Sequence, residues 1–117
     1  MKKSVFIAFL KPPISTSFHL EGIRVALGIL SGDEDHEVTV AYIGKGVRCA
    51  LKDVDTAYTK SMLDLLRKDI AGGQFYVEKE SLDAEHISEK ELGDSFAVLP
   101  RRRLHGMMAA ADVMLSF

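Results

Sequence analysis

Three features of this 117-residue chain predict a single α/β domain with a mainly parallel five-stranded sheet and helices on both faces. Residues 4–10 (SVFIAFL) form an apolar run too short to span a membrane, and their Val, Ile and Phe content suits a strand buried on both faces. Short β-rich runs then alternate with helical stripes. The order of these runs requires crossovers, and crossovers make neighbouring strands parallel.

After the first strand, residues 11–17 (KPPISTS) hold two prolines and three hydroxyl residues, which stop the strand and supply an N-cap. Leu20, Ile23, Ala26, Leu27 and Leu30 recur at helical spacing, the stripe of a helix packed on a sheet. Gly32 and residues 33–35 end it. Residues 37–43 (EVTVAYI) read as the second strand, and residues 44–47 (GKGV) as a turn. A short helical piece is expected over residues 48–52. Asp55 is a suitable N-cap for the longest helix, with Tyr58, Met62, Leu65, Leu66 and Ile70 inward and Gly72 and Gly73 closing it.

Residues 74–77 are expected as the third strand. Ser81 is read as a cap for a further helical turn, and Ser88 with Glu91 has the spacing of a capping box. Residues 95–99 (SFAVL) give the fourth strand, and Pro100 opens a helix carrying Leu104, Met107, Met108 and Ala111. Residues 112–117 (DVMLSF) give the fifth strand. The expected architecture is a flavodoxin-like or Rossmann-like three-layer sandwich occupying residues 1–117.

Composition excludes several classes of function. A hydrophobic fraction of 47% separates the chain from disordered proteins, and a net charge of −2 gives no global field toward nucleic acid or an anionic membrane. Direct binding to either is not expected. The single cysteine, Cys49, cannot form an intramolecular disulfide. The Met-Lys-Lys start leads into an apolar run without a small-residue cleavage site, so a cytoplasmic location is expected.

In open parallel sheets, ligands sit outside the carboxyl ends of the strands. That rule selects residues 11–17, 44–49, 79–82 and 100–103, and with them Lys11, Lys45, Arg48, Cys49, Arg101, Arg102 and Arg103. Cys49 lies beside Lys45, Arg48 and Lys52 at an expected helix start, a setting that stabilises a thiolate, although a lone thiol equally suits core packing. Arg101, Arg102 and Arg103 oppose the dipole of the helix they open, so they ask for an anionic ligand or an acidic subunit face, or else form a solvated surface. His19, His36, His86 and His105 show no metal-ligand spacing with one another or with Cys49. The segment Gly44-Lys45-Gly46 lacks the spacing of a phosphate-binding loop, and no serine sits in a nucleophile elbow. No metal and no cofactor is expected.

A second strand running into YIGKGV, a short third strand FYVEK leading to SLDAEHI, and a last strand ADVMLSF together resemble the DsrE/DsrF family over essentially the whole chain. The likeness is greatest to its TusC and DsrF branch. What the resemblance implies is intracellular sulfur trafficking. Carrier members receive sulfur as a persulfide on a cysteine at the end of the third strand, whereas members resembling TusC and DsrF act as companion subunits without it. The carrier position falls at Val77 or Glu78, neither of which can hold sulfur. The implied partners are further copies in a homotrimer or homohexamer, family members in a hetero-oligomer, or a sulfurtransferase. The alternatives are a persulfide carrier using Cys49, and a small-anion or small-molecule binding module using the arginines and the KPPISTS loop.

Overall fold

The computed structural model describes residues 2–13, 17–32, 34–52 and 57–117. Five parallel strands, β1 (Ser4–Phe9), β2 (Glu37–Tyr42), β3 (Phe75–Glu78), β4 (Phe96–Leu99) and β5 (Val113–Ser116), form one sheet in the order β4-β3-β2-β1-β5. Its register sets Ile7 beside Val40 and Leu115, and Glu78 beside Leu99.

Alternation along β1 fills both faces, as its continuous apolar run requires. Val5, Ile7 and Phe9 enter the larger core with Ile23 and Ala26 of α1 (Phe18–Leu30) and Leu63 and Leu66 of α2 (Ala57–Arg67). Phe6 and Ala8 face the opposite way, where Leu104 of α4 (Arg101–Ala110) packs against them. Both faces of the sheet therefore carry helices.

Several local expectations change. Leu65 is 55% exposed, whereas Leu63 is buried: the inward stripe of α2 runs through Leu63, Leu66 and then Ile70 beyond its end. Asp55 and the Tyr58 side chain lie outside the described residues, as do residues 14–16 of the KPPISTS turn and Asp33. Ser17 holds the N-cap position of α1, but its hydroxyl donates to Glu21 Oε1 at 3.1 Å instead of accepting from the backbone. The helical piece expected at 48–52 starts earlier, as a 3-10 helix over Gly44–Ala50. Gly44 enters it at φ 61°, a conformation open to glycine at little cost. Ser88 forms the expected capping box with Glu91 around a short 3-10 turn, Glu89–Glu91.

The third strand begins and ends one residue later than expected, so its last residue is Glu78. It continues directly into α3 (Lys79–Ala84). Ser81 is consequently inside this helix, not at its cap, and is buried. Pro100 stands at the N-cap position of α4, and its carbonyl accepts from Arg103 N at 3.0 Å.

Candidate site at the carboxyl ends of the strands

Two neighbouring strands leave the sheet toward opposite faces. Past β3, the chain enters α3, whose Leu82 belongs to the larger core; past β4, it enters α4, whose Leu104 packs on the other face. Such a divergence opens the crevice in which α/β proteins place their sites. Glu78 and Leu99 are paired across this point, so Arg101, two residues beyond Leu99, reaches over Glu78.

The result is a network tying three strand exits together. Glu78 is fully buried, and its Oε1 accepts from the Ser81 hydroxyl and from Arg101 Nη2, the latter at 3.0 Å. Ser81 Oγ in turn accepts from the backbone N–H of Gly44 at 2.8 Å, which brings in the end of β2. Glu80 Oε1 accepts from the backbone N–H of Arg101 at 2.8 Å. This bond comes first among the causes that hold the Glu80 carboxyl below its usual range, and it places a carboxylate at the N-terminus of α4. The hydrogen bond that Arg101 donates to Glu78, followed by the charge of that carboxylate, holds the Arg101 guanidinium still more firmly protonated.

The anion that the arginine run asked for is thus supplied from within the chain, at Arg101. Arg102 and Arg103 point to solvent and make no ion pair among the described residues, so the three arginines do not converge on one ligand. Lys45 and Arg48 do converge, but on Glu85: Lys45 Nζ lies 3.7 Å and Arg48 Nε 2.7 Å from its carboxylate. The Arg48 hydrogen bond, then the nearby lysine charge, hold the Glu85 carboxyl low.

Cys49 does not lie at a helix start. It is the sixth residue of the 3-10 helix Gly44–Ala50, is completely buried among the larger core, and its Sγ lies 3.5 Å from the Lys11 carbonyl oxygen. Lys11 contributes this backbone contact, and its residue is otherwise exposed.

Glu80 and Ser81 fall in the 79–82 loop that the sequence selected but were not singled out there, Glu78 was named only as a possible carrier position, and Glu85 lies outside the selected loops. One signal was present: an acid-rich segment, EKESLDAE, leaves the third strand, and a basic segment, PRRR, leaves the fourth. Reading it requires knowing that these strands are neighbours.

Glu78→Gln is expected to lower stability by about 1–3 kcal/mol, because the new amide places N–H donors where Oε2 now has no partner and deprives Arg101 of its counter-charge. Urea unfolding checks this. A variant as stable as the parent would mean that the pair does not hold the two exits together.

A second ionisable group is enclosed beside this edge. The ring of His19 meets Phe9 edge-on at 4.9 Å, and its Nε2 lies 2.8 Å from the Tyr42 hydroxyl. Burial pushes its pKa down to about 4. Between the ordinary value near 6.5 and about 4, the unfolded chain binds a proton that the folded chain does not, so stability falls as pH falls across that window. The loss reaches up to about 3 kcal/mol. His19→Gln is expected to flatten the decline, measured as unfolding midpoints from pH 7 to pH 4; an equally steep decline would place its cause elsewhere.

The comparisons with known proteins agree with this architecture. The model of the DsrE/DsrF-like family matches residues 3–117. No curated protein matches in sequence. Among solved structures, the ychN protein from E. coli superposes with a TM-score of 0.79 at 19% identity, covering all of both chains. MTH1491 from Methanobacterium thermoautotrophicum, described as a protein of unknown function, superposes with a TM-score of 0.73 at 14% identity, again covering both chains fully. At these identities the neighbours share the fold, and the family match over nearly the whole length carries the assignment: the chain belongs to the DsrE/DsrF-like family.

Proposed function

We propose that this chain serves intracellular sulfur metabolism as an oligomeric companion subunit, of the TusC and DsrF kind, in or beside a sulfur relay. Family membership supports the metabolic setting. The observation that carries the companion role is the state of the third-strand exit: the carrier position that the family resemblance implies falls at Val77 or Glu78, neither of which can hold sulfur, and Glu78 is locked by Ser81 and Arg101. Burial of Cys49 supports the same reading, since a persulfide must be reached by both donor and acceptor. A binding module built on the three arginines finds no such support, because Arg101 is already paired.

Intact-mass spectrometry after incubation with a cysteine desulfurase and cysteine tests the proposal. The expected result is no added sulfur, with a thiol that resists alkylation until the protein unfolds. A species one sulfur atom heavier, absent in Cys49→Ser, would instead make Cys49 the carrier.

Association into a homotrimer, a homohexamer or a hetero-oligomer belongs to the same proposal, with a cytoplasmic location. Its support is the unpaired outer edge of β5, where Met114 is 49% exposed, together with the second sheet edge at β4. Light scattering at micromolar concentration is expected to give a multiple of the monomer mass, and a monomeric mass would count against association. Among the described residues, no helix is long and apolar enough to cross a membrane.

A further inference from the structure

At the start of β4, away from the network at the carboxyl ends of the strands, a cleft of about 610 Å³ separates α2 from the turn leading into that strand. Its volume lies within the range of small-molecule sites. One wall is a single stripe of α2: Lys60, Leu63, Asp64 and Arg67 stand at relative positions 0, 3, 4 and 7 and therefore share a face. The facing wall is the turn through Gly93, Asp94 and Ser95, and Lys52 closes one end.

The walls are fixed in place. Gly93 N donates to the Ala50 carbonyl at 3.0 Å, and Phe96 N donates to the Gly93 carbonyl at 3.4 Å. The Phe96 ring lies against Tyr42 and Phe75, with centroids 5.4 and 5.5 Å away. It leans over Gly93, where a Cβ would come within 3.1 Å of its edge. With buried Leu63, this half-buried ring gives the cleft an apolar floor.

The polar groups on the rim have two chemistries. Lys52 and Lys60 make no ion pair among the described residues, and Arg67 uses only its Nε, on the Gly73 carbonyl at 3.1 Å. Lys52, Lys60 and Arg67 line one concavity, and a dianionic phosphate answers three such donors better than a carboxylate does. Asp64 and Asp94 make no ion pair among the described residues either. They would repel a bare phosphate, but they are suited to accept from hydroxyl groups, as is Ser95.

We propose that this cleft binds a hydroxyl-bearing organic phosphate of sugar-phosphate size, with the phosphate on Lys52, Lys60 and Arg67, the hydroxyls on Asp64 and Asp94, and the apolar face of the ring on Phe96. This site is independent of the sulfur-relay reading.

Ribose 5-phosphate is the probe, with ribose and inorganic phosphate as controls, followed by amide chemical shifts of the intact protein. Saturable shifts are expected at Lys60, Asp64, Arg67, Asp94 and Ser95, half-maximal below about 1 mM, with inorganic phosphate roughly tenfold weaker and ribose silent. Lys52→Gln with Lys60→Gln is expected to weaken ribose 5-phosphate at least about tenfold. Asp94→Asn should weaken ribose 5-phosphate while leaving inorganic phosphate binding no weaker, because it removes a charge that repels the bare anion. All of these side chains are exposed, so their replacement leaves the fold intact. Shifts that do not saturate, that spread to lysines outside the cleft, or that persist in the double variant would overturn the proposal. Equal affinity for inorganic phosphate would overturn it as well, reducing the cleft to a patch of positive charge.

Discussion

Gly46→Ala is expected to destabilise the protein by about 3 kcal/mol or more, an unusually large effect for adding one methyl group. A Cβ at Gly46 falls 1.9 Å from the carbonyl oxygen of Phe9, 2.5 Å from its carbonyl carbon and 3.0 Å from Leu10 N. All three are backbone atoms at the exit of β1, where no side chain can rotate away. The same Phe9 carbonyl accepts from Ile43 N at 3.0 Å, and Gly46 N donates to the Ile43 carbonyl at 3.0 Å. Relief therefore requires the 3-10 helix to retreat from β1 and strain those bonds. The damage should extend to the strand exits, because this segment carries the Gly44 N–H that donates to Ser81 and the Lys45 and Arg48 groups held by Glu85. Gly28→Ala is the control. Gly28 lies within α1 with open space around its Cβ position, so alanine there should raise stability by about 0.5–1 kcal/mol. Urea midpoints of the two variants should move in opposite directions; a Gly46→Ala protein as stable as the parent would show that the contact is easily relieved.

The contrast between these two glycines shows what the sequence could and could not convey. Residues 44–47 announce a turn because two glycines interrupt an apolar run. Which one is needed for its torsion angle and which for its closeness to another strand depends on tertiary contact. Gly44 has the left-handed torsion, and Gly46 has Phe9 against it. The strands and long helices were legible because their apolar spacing is local and strong. Boundaries were less so: a one-residue shift of the third strand moved Glu78 from just beyond the strand to its last position.

The candidate site was legible as a set of loops but not as a set of pairs. Placing Lys45, Arg48 and Arg101 at the carboxyl edge needed only the alternation of strands and helices. Their partners, Glu85 for the first two and Glu78 for the third, are 40, 37 and 23 residues away in sequence. Nothing local distinguishes a carboxylate that will be buried from one that will be solvated. Cys49 illustrates the same limit in reverse. Cations adjacent in sequence suggested an activated thiol, but the 3-10 helix turns Arg48 out to Glu85 and Cys49 into the core.

Phe9→Ala is expected to cost about 3–5 kcal/mol and, unlike other core truncations, to change how stability depends on pH. The ring is 1% exposed, lies nearly parallel to Tyr42 at 5.0 Å, and touches Phe117 at 6.0 Å. Helix α1 comes down on it at Gly22, where a Cβ would lie 2.3 Å from the ring. Such close packing leaves little room for the surroundings to collapse into the cavity, which places the cost toward the upper end of that range. His19 packs edge-on against this ring, and it is burial that lowers the histidine's pKa to about 4. Removing the ring admits water beside the imidazole, so its pKa should rise toward the ordinary value, and the difference between folded and unfolded protonation should shrink. The variant is therefore expected to be much less stable at pH 7 but to lose less further stability between pH 6.5 and 4 than the parent does. Phe9→Leu retains most of the apolar fill and should show a smaller version of both effects. Unfolding midpoints at pH 7 and pH 5 for the three proteins separate the contributions. A uniform loss at both pH values would mean that the ring supports the core without keeping His19 dry, whereas a shallower acid limb would tie the packing of β1 to the charge state of the group above it.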